Sequence, residues 1–237
     1  RLTIFLGAAP GVRKTYAMLV RARDLFQKKK NIVIAYIETH GRAETESLIE
    51  GLPCIPRKKM QYQGHHLEEM DLDAVLEQKA QIVLVDEFAH TNMPGSRHEK
   101  RWQDINELLD AGIDVFTTMN IQHLESLNDV IYQITGIRVK ETVPDRVFDR
   151  IRDIRLIDLP VNELLERLNQ GKVYIPEQVQ HALQGFFNSS NLTALRELAM
   201  QTVASHVDSD VRENFALQGL TPIPLKNHLL SMVDGLG

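Results

Sequence analysis

Residues 2–6, Leu-Thr-Ile-Phe-Leu, run directly into Gly7-Ala8-Ala9-Pro10-Gly11-Val12-Arg13-Lys14-Thr15 and then into a helical pattern. A strand, a glycine-containing turn and a helix in that order constrain the fold more than any other feature. The turn gathers backbone N–H groups into a concave nest at a helix N-terminus, an arrangement that favours phosphate. In this context Lys14 reaches the β and γ phosphates of a nucleotide, and the Thr15 hydroxyl serves as a Mg²⁺ ligand. One position breaks the pattern: Arg13 stands where a glycine lets the backbone approach phosphate without a Cβ in the way. An arginine there either obstructs the nest or lends its guanidinium to phosphate from outside.

Four more short β-branched runs follow, at 31–37, 81–86, 113–118 and 154–159. The first three runs of the chain are nearly continuous in apolar residues, as strands are when both sheet faces are covered. Helical patterns separate the strands. Residues 15–29 place Met18, Leu19, Leu25 and Phe26 on one side. Residues 98–111 carry Trp102, Ile105, Leu108 and Leu109 at helical spacing, and 120–135 carry Leu124, Leu127, Ile131 and Ile134. Alternating strands and helices predict parallel βαβ units with right-handed crossovers. The expected fold is α/β, a mostly parallel doubly wound sheet of the P-loop NTPase kind over 1–160. A helical appendage is expected over 161–215, with helices at 161–168, from Ile175-Pro176-Glu177, and at 194–207. Residues 218–224 read as a linker, and 228–233 as the first strand of a further, truncated domain.

Composition narrows the class. The 237 residues carry 27 Lys and Arg against 32 Asp and Glu, a net charge of −5. This argues against bulk nucleic-acid binding, which uses a basic face. The single cysteine, Cys54, forms no internal disulfide and points to a reducing compartment. No run approaches the roughly 18 apolar residues of a membrane span, and the N-terminus enters a structured motif rather than a signal peptide.

A second chemical signal is Val83-Leu84-Val85-Asp86-Glu87, an apolar strand ending in two acids about 70 residues after the phosphate loop. Asp86 is placed to hold Mg²⁺ directly or through water, and Glu87 to polarise a water or hydroxyl. Glu38-Thr39-His40-Gly41-Arg42 follows the second strand, at the sheet edge where ligands bind in open α/β folds. There Arg42 faces a phosphate and Glu38 supports the metal or the attacking group, unless the segment is only a surface turn. His90 to His98 is a polar loop of the kind that moves with ligand occupancy. At the end of the fourth strand, Asn120 or Gln122 senses a γ-phosphate, or Asn120 caps a helix. Plainer readings go to His65-His66 (a polar turn), Lys28-Lys29-Lys30 (a solvated helix end), Cys54 (structural) and Trp102 (core).

These motifs occur together in one family. Gly7 to Val12, Lys14-Thr15-Tyr16, Glu38 to Arg42, Val85-Asp86-Glu87, Ala89 to Asn92, Pro94 to His98, Lys100-Arg101, Asp110 to Val115 and Gln122 to Asp129 resemble the N-terminal cytoplasmic domain of the KdpD sensor histidine kinases. Gly171 to Pro176 and Leu192 to Ala199 extend the likeness to about residue 207. The family governs a high-affinity potassium pump through a two-component phosphorelay. Its members continue into a universal-stress-protein-like domain, four membrane helices and a histidine kinase core. The resemblance implies a regulatory domain that binds ATP and Mg²⁺ at the cytoplasmic face of the bacterial inner membrane. Gly7, Ala8, Ala9, Pro10, Gly11, Val12, Arg13, Lys14, Thr15, Tyr16 and Arg42 would bind nucleotide; Thr15 and Asp86 would hold Mg²⁺; Lys14, Asp86, Glu87 and Glu38 would carry any chemistry. Partners would be the downstream domains, the response regulator through the full-length protein, and the potassium pump. Contact with the membrane would come only through the full-length protein, and nucleic acid is not expected as a partner. Two alternatives stand beside this: a P-loop ATPase or serine kinase acting on the pump, and a nucleotide-free docking module, because Arg13 replaces the family's glycine.

Overall fold

The computed structural model describes residues 1–62, 65–151, 153–173 and 185–217. Residues 1–199 form one compact unit; of the second, 200–237, the described part is helical. The strands are β1 (Leu2–Gly7), β2 (Ile32–Tyr36), β3 (Lys58–Tyr62), β4 (His65–Glu69), β5 (Ile82–Val85), β6 (Asp114–Asn120) and β7 (Asp153–Ile157). The helices are α1 (Lys14–Gln27), α2 (Ala43–Ile49), α3 (Leu72–Gln78), α4 (Arg101–Asp110), α5 (Asn128–Thr135), α6 (Asp145–Phe148), α7 (Val161–Asn169) and α8 (Ser189–Leu217).

Five strands form one parallel sheet in the order β2-β5-β6-β1-β7. The expected parallel α/β sheet is therefore present. Ile82 and Leu84 join Met18, Leu19 and Ala22 of α1 in the core on one face. The alternate residues Val83 and Val85 point to the opposite face and are equally inaccessible, so both faces are covered. β6 lies between β1 and β5, pairing Gly7 with Asn120 and Val85 with Thr117. This order brings the ends of β1, β2, β5 and β6 to one edge, where the turns that follow them carry the chemistry.

Several local expectations change. Residues 58–62 and 65–69 pair as a two-stranded antiparallel ribbon, so His65 and His66 lie on a strand and not in a turn. The sequence there lacks an apolar run because most of its described residues are exposed. Residues 98 and 99 form a bend and Lys100 is extended in a bridge with Thr91, so α4 starts at Arg101. Its buried stripe is Arg101, Asp104, Ile105 and Leu108. Trp102, expected in the core, is only partly buried, and Phe26 of α1 is exposed. The single helix expected over 120–135 is instead the end of β6, two short 3₁₀ turns and α5. Ile121 and Leu124 are buried here. Leu124 is extended and bridged to Val143, whose N–H donates to the His123 carbonyl and whose carbonyl accepts from the Glu125 N–H, so these groups are not available to a continuous helix. Asn120 is extended and makes no capping hydrogen bond. The expected helix at 175–177, linker at 218–224 and strand at 228–233 lie outside the described residues.

Candidate functional site

The phosphate loop closes tightly on itself. A Cβ on Gly7 would meet Val12 Cγ2 at 2.5 Å and Lys14 Cδ at 2.9 Å. Gly11 has φ +90°, and a Cβ there would lie 2.4 Å from Val173 Cγ2 and 3.1 Å from Leu164 Cδ1. Residues from α7 and just beyond it therefore wall the loop. Arg13 adopts φ 74° and ψ 31°, the left-handed backbone that a glycine takes without strain. Its guanidinium leaves the loop to pair with Glu44 at 2.9 Å and to stack over the Tyr16 ring at 4.5 Å.

Lys14 lines a cavity of about 340 Å³ together with Thr15, Arg42, Asp86, Glu87, Asn120 and His123. Its Nζ lies 3.5 Å from the Ala9 carbonyl. Burial pushes the Lys14 ammonium down to about 8, against the attraction of Asp86. Thr15 Oγ1 donates to Asp86 Oδ2 at 3.1 Å, joining loop and acidic strand across 71 residues. Asp86 is 2% exposed and also accepts from the Glu38 N–H at 3.2 Å, the Glu87 N–H at 3.1 Å and the Thr118 hydroxyl. Glu87 has φ 61°, an uncommon conformation for a side chain of its size. Burial and then the neighbouring Asp86 raise its carboxyl. Asn120 enters the cavity from the end of β6 with a buried Oδ1 that no hydrogen bond satisfies among the described residues. His123 Nδ1 lies 2.8 Å from the Glu141 carbonyl, which only an N–H can satisfy, so Nε2 is the acceptor of this neutral ring. Burial pushes its pKa down.

Glu38 behaves differently. Its backbone supports Asp86, but its carboxylate turns to Arg57 at 3.6 Å and to the Tyr36 hydroxyl at 3.5 Å. It lies outside the cavity lining, as do Gly7, Ala8, Ala9, Val12 and Tyr16. Arg42 lies within it, as do Pro10, Gly11 and Arg13.

Sequence reasoning missed the support beneath the acidic strand. Arg101 is fully buried; its Nη1 donates to the Asp86 carbonyl at 3.2 Å, and its Nη2 pairs with Glu69 on β4. Arg101 and Arg57 stack on Tyr36 at 3.9 and 4.3 Å. Burial then drives the Tyr36 phenol up to about 12. Glu69 also accepts from the Met93 N–H at 3.2 Å and faces His90 Nε2 at 3.1 Å. Burial opposes its ionisation, but the His90 hydrogen bond and the Arg101 charge outweigh it and hold the carboxyl at about 2. The loop after Glu87 is thus fastened at 90 and 93, and again where Glu141 accepts from the Thr91 N–H at 2.8 Å. The signal for this support was the Lys100-Arg101 pair, which a helical wheel centred on Trp102 leaves on the surface.

The profile of the family described as KdpD, osmosensitive K⁺ channel His kinase sensor domain, matches residues 1–207. The chain belongs to the KdpD sensor-domain family. It is 53% identical over 212 residues to the "Sensor protein KdpD" of Escherichia coli K12, covering 90% of this chain and 24% of that protein. The Clostridium acetobutylicum "Sensor protein KdpD" is 52% identical over 89% of this chain and 23% of its own length. A Synechocystis "Putative sensor protein KdpD" is 48% identical, with 57% of its length covered. The chain thus spans about a quarter of the first two KdpD relatives. Among its described residues, no helix is long and apolar enough to cross a membrane.

Proposed function

We propose that this chain is the nucleotide-responsive regulatory domain of a KdpD sensor kinase, binding Mg-ATP in the cavity between the phosphate loop and Asp86. The observation that carries this reading is the Thr15–Asp86 hydrogen bond, which joins the phosphate loop to the acidic strand in the lining of a cavity that Lys14 also lines. The residues fit the ligand. The loop leaves no room for a Cβ at Gly7, and the Asn120 Oδ1 in the same cavity has no described partner. Lys14 would hold the β and γ phosphates, with Thr15 and Asp86 holding Mg²⁺. The ion would neutralise phosphate charge when bound. The Arg13 guanidinium, carried away to Glu44 and Tyr16, is compatible with an open cradle.

Nucleotide occupancy would bias the loops at 38–42 and 87–98, and through them the downstream domains of the full-length kinase. In that protein the domain would lie at the cytoplasmic face of the inner membrane. It would influence phosphorelay to a response regulator that controls a potassium pump. A second reading, ATP hydrolysis or phosphoryl transfer to a protein hydroxyl on that pump, is favoured by one observation: Glu87 sits in the cavity with its carboxyl raised. Such a carboxylate takes a proton more readily from an attacking water or hydroxyl.

Calorimetric titration with Mg-ATP and Mg-ADP tests the reading. The parent chain is expected to bind at micromolar to sub-millimolar concentration, and Lys14→Met to lose binding. Binding only by Arg13→Gly would instead support the nucleotide-free docking module. Labelled phosphate released from, or transferred by, bound ATP would support the second reading.

A further inference from the structure

Beside the nucleotide cavity lies a second one, of about 360 Å³, lined by His40, Arg42, Glu44, Gly171 and Lys172. It adjoins the first through His40 and Arg42. Four cations gather here around one carboxylate. Arg13 Nη2 and Arg167 Nη2 meet the two oxygens of Glu44 at 2.9 and 3.1 Å. Lys172 acts on the same carboxylate through its charge, and Arg167 is close enough to Arg42 to lower its pKa, second only to burial. The Nε groups of Arg13, Arg42 and Arg167 are all buried without a hydrogen-bond acceptor among the described residues. Buried guanidinium N–H groups without acceptors are unfavourable, and cations crowded beyond their counter-charge repel. A dianion would correct both defects at once.

We propose that this cavity is a second anion site beside the phosphate loop, which takes a phosphate monoester on Arg42 and Lys172 of its lining and on Arg13 and Arg167, which reach its edge through Glu44. Glu44 holds two of the arginines in place while the site is free. A phosphate monoester carries close to two negative charges at neutral pH, against one for Glu44, and its oxygens match the planar guanidinium fork. The volume admits the phosphate together with part of the group that bears it. Arg13, which interrupts the phosphate-loop pattern and lines the first cavity, would reach the neighbouring site from its pair with Glu44. Occupancy would reach the nucleotide through Arg42, which borders both cavities.

The test follows the arginine Nε–Hε NMR resonances of the 237-residue Lys14→Met chain while inorganic phosphate, and separately O-phosphoserine, is added. Lys14→Met disables the phosphate loop, so any remaining response arises elsewhere. The expected result is saturable movement of the Arg13, Arg42 and Arg167 signals. Tighter binding of O-phosphoserine would assign the site to phosphate borne on an organic group, and equal or weaker binding to free phosphate. Glu44→Gln removes the competing carboxylate and is expected to tighten binding about two- to fivefold, the scale of one exposed ion pair. Arg42→Gln, which breaks no described side-chain contact, is expected to weaken it about tenfold. A gain of affinity cannot come from misfolding. Loss of all response in Lys14→Met, or unchanged or weaker binding in Glu44→Gln, would overturn the proposal. Neither result would bear on Mg-ATP binding by the parent.

Discussion

Arg13 offers a clean measurement of backbone strain at the phosphate loop. A non-glycine residue in the left-handed region costs about 1–2 kcal/mol. Arg13→Ala keeps that strain and removes the side chain. The lost contacts are an ion pair with Glu44, whose partners are 37% and 40% exposed, and the Tyr16 stack at 4.5 Å. Each contributes roughly 0.2–1 kcal/mol at such exposure. Arg13→Gly loses the same contacts but relieves the strain, offset by about 0.4–1 kcal/mol of added freedom in the unfolded chain. Alanine is therefore expected to destabilise by about 1 kcal/mol, with glycine close to the parent. Against a urea dependence of about 1–3 kcal/mol per molar, the two variants should differ in midpoint by roughly 0.3–1 M, glycine higher. Urea denaturation without nucleotide is the assay. Coincident midpoints, or alanine above glycine, would refute the assignment of strain to residue 13.

Three further outcomes follow from the site. The folded pKa of Lys14 is about 8 against 10.5 for the free group, so the unfolded chain binds more protons between those values and stability rises with pH there. Lys14→Met should lack this slope and, without nucleotide, exceed the parent by about 1 kcal/mol at pH 7 after allowance for solvent access, as read by paired urea midpoints. For Glu69 the sign is opposite. Its carboxyl lies at about 2 against 4.5, so its contribution is complete above pH 4.5 and is lost as pH falls toward 2; Glu69→Gln should flatten the acid limb of a thermal melt. Arg101→Met strands the buried Glu69 and should cost about 3–5 kcal/mol in the same assay, more than Glu69→Gln.

The sheet was legible because β1, β2 and β5 are covered on both faces and so appear as unbroken apolar runs. The ribbon of β3 and β4 was not, since its exposed residues show neither continuity nor clean alternation. At the site, Lys14, Thr15 and Asp86 were readable because their spacing from a strand end fixes their position. Arg101 was not. Its burial depends on Glu69, 32 residues earlier, and on the Asp86 carbonyl, neither of which leaves a periodic trace. The turn at 121–127 failed for a related reason. Helical spacing of Leu124, Leu127 and Ile131 is genuine, but the backbone bridge of Leu124 to Val143, nineteen residues later, overrides it.

The position of β1 in the sheet has a consequence for synthesis. Leu2 pairs with Val115, and Thr3 with Asp153 as well as Phe116, so both neighbours of this apolar strand leave the ribosome more than a hundred residues after it. β2 and β5, about fifty residues apart, can pair long before that. Distant pairings of this kind slow folding and leave apolar edges open while they wait. The strand that positions the phosphate loop is thus translated well before both of its sheet neighbours and can be locked into the sheet only after them. During elongation, chaperone demand should concentrate on Leu2 to Leu6, and the nucleotide cavity can acquire its walls only after β6 has been made.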